Sequence, residues 1–123
     1  IDTDVLIWVL RGNKKYEGLL QKLKDKGSLS ISTITIAEIY KNTFPQEIVK
    51  TEIMLHEFQI WDVTASIAKQ AGLYWQQFIK QFKNLSITDC MIAATAKLNG
   101  FTVVTLNTRH FPMKGIKIQN PLK

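Results

Sequence analysis

Acidic side chains set beside long apolar runs are the residues of this chain with the strongest reason to do chemistry. Asp2 and Asp4 adjoin the run Val5 to Leu10, Glu38 lies inside ITIAEIY, and Asp89 lies inside SITDCMIAATA. A carboxylate buried without a partner is unfavourable enough to take up a proton or to find a cation. Oxygen donors of this kind suit a hard divalent ion such as Mg2+ or Mn2+, commonly held by one or two carboxylates together with a substrate phosphate. The remaining acids, Glu17, Asp25, Glu47, Glu52, Glu57 and Asp62, sit in mixed polar stretches and read as solvated helix faces or helix starts.

Two of the four acids also have a plainer use. Thr35-Ile36-Ala37-Glu38 and Ser86-Ile87-Thr88-Asp89 both match the pattern in which an acid at the third helical position reaches back to the cap residue. Asp89 is followed at three, four and seven residues by Ile92, Ala93 and Ala96, which places it on the apolar face of its helix. At the front of the chain, Asp4 or Thr3 is expected to cap the first helix. Asp2, preceding that cap at the end of a strand, is left for function.

These residues must be positioned by alternating helices and strands. A stub of strand at Ile1 and Asp2 leads into a short helix carrying Val5, Leu6, Val9 and Leu10. Lys14 to Lys26 reads as an amphipathic helix stopped by Gly27. A strand over Leu29 and Ile31, extending to Thr33 and Ile34, precedes a helix from about Ile36 to Phe44, and Pro45 opens the next helix, carried through Glu57. Gln59 to Val63 reads as a strand and Ala65 to Phe82 as one long helix. The aromatic side chains of that helix follow its apolar spacing and are assigned to core or subunit contact rather than to base stacking. Ser86 to Asn99 is a further helix closed by Gly100, Phe101 to Leu106 a buried parallel strand, and Ile116 to Ile118 a short last strand. The alternation predicts an α/β fold, a three-layer sandwich with a central, mainly parallel sheet. Ligands of such sheets gather at the carboxyl ends of the strands, where Asp2, Glu38 and Thr105 to Asn107 all fall.

Bulk properties narrow the reading further. The 123 residues, 46% of them hydrophobic, suffice for one domain over 1–123 and not for two, with the first strand expected to be truncated in this numbering. No apolar stretch reaches the roughly 18 residues of a membrane helix, and the start lacks a signal-peptide pattern, so a cytoplasmic protein without membrane contact is expected. The lone Cys90 reads as a small core residue. A net charge of +6, with Lys14, Lys15, Lys22, Lys24 and Lys26 on one helix and a second basic tract from Lys114 to Lys123, is compatible with a polyanionic partner without identifying it.

Taken together and in order, IDTDVLIWVL, ISTITIAEIY, SITDCMIAATA and VVTLNTRHF resemble the PIN-domain ribonucleases, above all the VapC-type toxins of toxin-antitoxin pairs. The resemblance extends over nearly the whole chain. It implies a metal-dependent endoribonuclease with Asp2, Glu38 and Asp89 as acidic metal ligands and catalytic residues. It also places Asn107 at a fourth metal-site position that is aspartate in many relatives, and puts Thr3 and Asp4 at the small polar positions after the first acid. A neutral asparagine carbonyl there weakens a second metal site. Thr105, Thr108, Arg109 and His110 would then support the site or orient substrate phosphate, His110 alternatively satisfying a backbone carbonyl. RNA is the implied substrate, a cognate antitoxin the implied partner, and a homodimer the implied assembly.

Two other readings compete. Asp2-Thr3-Asp4-Val5 also resembles the opening of haloacid dehalogenase-type phosphatases, in which Asp2 would be a nucleophile. That family requires a downstream acidic pair, and no acidic pair follows Asp62. The second alternative is a non-catalytic RNA-binding or interaction module that keeps the PIN fold, although such a module has little use for Asp2, Glu38 and Asp89 together.

Overall fold

In the computed structural model, which describes residues 1–122, six α-helices and four short strands alternate as α1 (Thr3–Leu10), α2 (Lys14–Lys26), β1 (Ser30–Ser32), α3 (Thr33–Lys41), α4 (Ile48–Leu55), β2 (Gln59–Trp61), α5 (Ala65–Phe78), α6 (Ile87–Asn99), β3 (Thr102–Val104) and β4 (Lys117–Gln119). β1 pairs in parallel with β2, Ile31 opposite Ile60, and β3 pairs in parallel with β4, Val103 opposite Ile118. The expected central sheet is therefore realised as two parallel ladders. Residues 1 and 2 lie between them. The Ile1 nitrogen donates to the Ser30 carbonyl at 2.9 Å and the Asp2 amide to the Val104 carbonyl at 2.8 Å. This extended pair of residues is the seam along which the candidate site side chains lie.

An apolar core lies on each side of the seam. Leu6, Leu10, Leu20, Ile31, Ile39 and Phe58 pack α1, α2, α3 and β1 together. Ala71, Tyr74, Phe78, Ala93, Val103 and Phe111 do the same for α5, α6 and β3. Burying each large apolar side chain is worth about 1.5–3 kcal/mol, so these two clusters hold the helix starts over the strand ends. Cys90 is fully buried in the second cluster, and burial first, then the charge of Asp89, pushes its thiol up to about 11. It is a packing residue, as its setting in the sequence suggested.

Several local expectations are corrected. The strand predicted to extend through Thr33 and Ile34 stops at Ser32, because the Ser32 hydroxyl accepts from the Ile34 amide at 3.2 Å and starts α3 there. Thr35 is consequently inside the helix rather than at its cap, and Glu38 is no capping acid. The helix expected to run through Glu57 is a 3-10 turn at Pro45–Glu47 followed by α4, which ends at Leu55. The long helix predicted to Phe82 ends at Phe78, where turn hydrogen bonds take over: Gln81 to the Phe78 carbonyl, Phe82 to the same oxygen, and Leu85 to the Phe82 carbonyl. Phe82 follows Phe78 by four residues yet is two-fifths exposed, so the buried face of α5 is not carried through it; the chain turns instead and returns to the core at Leu85. By contrast, α6 starts from Ser86 and closes at Gly100, whose φ of 69° favours glycine, as expected.

Candidate active site

The starts of α1 and α6, the second turn of α3 and one strand exit carry the sequence-predicted residues. Asp2 was expected to precede the first cap, with Asp4 or Thr3 in that role; it is itself the cap of α1. Its Oδ1 accepts from the Thr3 amide at 2.7 Å, while its Oδ2 accepts from the Thr105 hydroxyl at 2.8 Å. The sequence could not show this second bond, because Thr105 arrives from the end of β3, 103 residues away. Thr105 is fully buried and its oxygen also accepts from the Asn107 amide at 3.0 Å. With donor and acceptor both engaged, it positions Asp2 and the loop carrying Asn107.

Thr3 performs a second coupling. While its amide serves Asp2, its hydroxyl donates to Glu38 Oε1 at 2.8 Å, tying α3 to the start of α1. The Asn107 side-chain amide donates to Asp4 Oδ2 in a close contact, so the neutral residue at the fourth position spares Asp4 a like-charged neighbour. Thr108, Arg109 and His110 form an exposed 3-10 turn directly after Asn107. The His110 ring faces Asp89, Nδ1 to Oδ2 at 3.5 Å, rather than a backbone carbonyl. Among the described residues Arg109 makes no ion pair.

Asp89 is held by α6, its amide donating to the Ser86 hydroxyl at 3.0 Å. Burial is the main reason its carboxyl is pushed up to about 6. The Ser86 side chain pulls it back, the charge of Asp2 raises it again, His110 lowers it, and Glu38 adds a smaller rise. Asp4 is raised as well, by burial and then by Asp2, against the opposing pull of Asn107 and His110. Acids from α1, α3 and α6 thus feel one another's charge across the seam, and among the described residues no lysine or arginine is paired with any of them.

Among the described residues, no three acid, histidine or cysteine side chains converge into a ready-made cation cage. The donors present are carboxylate, hydroxyl and amide oxygens. That set fits a hard cation which keeps several of its waters and takes only one or two carboxylates from the protein. Asp2, Glu38, Asp89 and the carbonyl of Asn107 are the groups available to it.

A cavity of about 450 Å3 adjoins this rim. Asn107 and His110 belong to its wall, and the segment after α5, Gln81 to Leu85, supplies the opposite side. Sequence reasoning missed that segment because the apolar spacing of α5 continues into Phe82 without a local stop signal.

A family model described as PIN domain matches residues 1–115. The chain is 32% identical to Ribonuclease VapC10 of Mycobacterium tuberculosis over 113 residues, covering 92% of this chain and 85% of that protein. It is 30% identical to Ribonuclease VapC2 of Haemophilus influenzae over 116 residues, covering 90% and 87%. A solved toxin-antitoxin complex from Klebsiella pneumoniae contains a chain with TM-score 0.79 and 25% identity, covering 98% of this chain and 94% of that one.

Proposed function

This chain belongs to the PIN-domain family, with VapC ribonucleases among its relatives, and from that premise we propose that it is a metal-dependent endoribonuclease, the toxin of a toxin-antitoxin pair. The observation that supports the reading is the hydrogen-bonded link of Asp2 to Glu38 through Thr3, with Asp89, faced by His110 from the turn after Asn107, raised by the charges of both acids. Membership of the family sets aside the phosphatase reading, as does the burial of Asp2 between Thr3 and Thr105.

Asp2, Glu38 and Asp89, with the Asn107 carbonyl, are the residues we assign to hold Mg2+ or Mn2+. Bound there, such an ion would polarise a phosphodiester oxygen and make a water more acidic. The protein's own work is positional. Thr105 and the Thr3 amide fix both oxygens of Asp2, Thr3 fixes Glu38, and Ser86 fixes the start of α6 beneath Asp89. Thr108 and Arg109, exposed on the turn after Asn107, are placed to orient substrate phosphate; a guanidinium pairs with phosphate by two parallel hydrogen bonds.

The same reading includes a cognate antitoxin as partner, a homodimer as assembly and the cytoplasm as location. No helix among the described residues is long and apolar enough to cross a membrane. Val49, Ile53 and Leu73 are exposed apolar side chains that supply surface for protein contacts. The activity is tested by RNA cleavage with and without chelator, comparing wild type with Asp2→Asn and Asp89→Asn. Cleavage that needs added Mg2+ or Mn2+ and disappears in both variants is expected. Undiminished cleavage by both variants would overturn the assignment.

A further inference from the structure

The cavity beside the acidic rim has a lining that differs in kind from the rim itself. Its volume, about 450 Å3, falls in the range of roughly 300–1,000 Å3 typical of ligand pockets. Phe82, 40% exposed, contributes an aromatic ring, and Lys83 and Arg109 contribute cations with no ion-pair partner among the described residues. Gln81 and Asn84 add amides able both to donate and to accept. Asn107 and His110 are shared with the catalytic rim, so a molecule in the cavity is continuous with one on the acids. The second cavity of the same volume, between β1 and β3, is lined mainly by apolar side chains such as Ile31, Ile92 and Val103, with Lys26 its one charged side chain, and none of the four acids belongs to its wall.

An exposed aromatic ring, two unpaired cations and neutral amides in one cleft match the parts of a nucleotide: a flat base, a phosphate and a hydrogen-bonding edge. We infer that this cavity is a nucleotide subsite for single-stranded RNA flanking the scissile bond, in which Phe82 stacks one base while Lys83 and Arg109 hold the adjoining phosphate. The inference rests on the ribonuclease reading and extends it. Phe82 is preset for the role: its amide donates to the Phe78 carbonyl at 2.9 Å, and its ring meets Phe78 edge-on with centroids 6.3 Å apart. One edge of the ring is thereby fixed while two-fifths of the residue remains open to a ligand. The helical spacing that assigned Phe82 to core or subunit contact holds only up to Phe78, where α5 stops.

The test is equilibrium binding of a labelled single-stranded RNA of about eight nucleotides, within the usual range for such sites, measured in chelator so that the proposed chemistry is off. Phe82→Ala should weaken binding about tenfold, Phe82→Leu should do the same, and Phe82→Trp should retain the wild-type affinity. When each base is replaced in turn by an abasic residue, one position should weaken wild-type binding by about tenfold and leave Phe82→Ala almost unaffected. Lys83→Gln should lower the salt slope by about 0.7, the value for one phosphate contact on a single strand. Because Phe82 touches Phe78, melting curves accompany each variant, and the comparison of Leu with Trp decides the matter if Ala impairs folding. Unchanged affinity in Phe82→Ala, equal abasic penalties in both proteins, or a shift in oligomeric state without a loss of RNA binding would each overturn the subsite. Wild type that binds but never cuts with Mg2+ or Mn2+ would instead overturn the ribonuclease reading.

Discussion

Thr105 donates its hydroxyl hydrogen to Asp2 across 2.8 Å, joining two buried residues that are 103 positions apart in the chain. The bond closes the seam between the two cores at the point where the first acid of the site must be held.

Loss of that bond should be felt twice. Thr105→Val leaves an Asp2 oxygen buried without a donor and should lower unfolding stability by about 1–3 kcal/mol, read from urea denaturation. RNA cleavage should fall about 10–100-fold, mainly in kcat, since Thr105 is buried and meets no substrate. Thr105→Ser keeps the donor and should recover most of both.

The pH dependence of stability has a definite sign. The Asp89 carboxyl is pushed up to about 6 from its ordinary 3.8, so between these values the folded chain holds a proton that the unfolded chain has released. Stability in chelator should therefore fall as pH rises through that window, and the raised Asp4 acts in the same direction. Asp89→Asn should flatten the profile. Melting temperatures of the two proteins across the window check this; parallel profiles would contradict it.

Asn107 currently donates to Asp4, and Asn107→Asp would set two carboxylates against each other. In chelator this variant should melt below wild type. With Mn2+ present it should gain more than wild type does. A tenfold tighter site adds about 1.4 kcal/mol of stabilisation at a saturating ion concentration, measurable as a larger upward shift in melting.

Thr35 is fully buried, and its hydroxyl is the one buried side-chain polar atom among the described residues with no hydrogen-bond partner. Thr35→Val replaces the hydroxyl with a methyl of similar size. The change should stabilise the protein by about 1 kcal/mol in urea denaturation. Destabilisation would mean that the hydroxyl has a partner in solution.

Much of the fold was legible because its signals are local. Apolar spacing outlined α2 and α6, and Ser86 and Gly100 marked the ends of α6 as they do in the structure. Capping chemistry was less decisive where several residues could serve. Thr33, Thr35 and Ser32 all stand near the start of α3, and pairing of β1 with β2 through Ser32 selects Ser32. The same ambiguity hid Asp2 as the cap of α1 behind Thr3 and Asp4.

The sequence by itself determined which side chains are out of place in their surroundings: Asp2, Asp4, Glu38 and Asp89, each an acid in or beside an apolar run. Burial energy depends on neighbours a few positions away along a helix or strand, so such anomalies are visible in one dimension. Only the tertiary structure decided that Thr3 and Thr105 hold Asp2, that Asn107 answers Asp4, and that α5 stops at Phe78 to leave Phe82 in a cleft beside the acids. Hydrogen bonds act within about 3 Å and without regard to sequence separation, and helix ends yield to whatever the core must bury, so both are fixed by packing rather than by spacing.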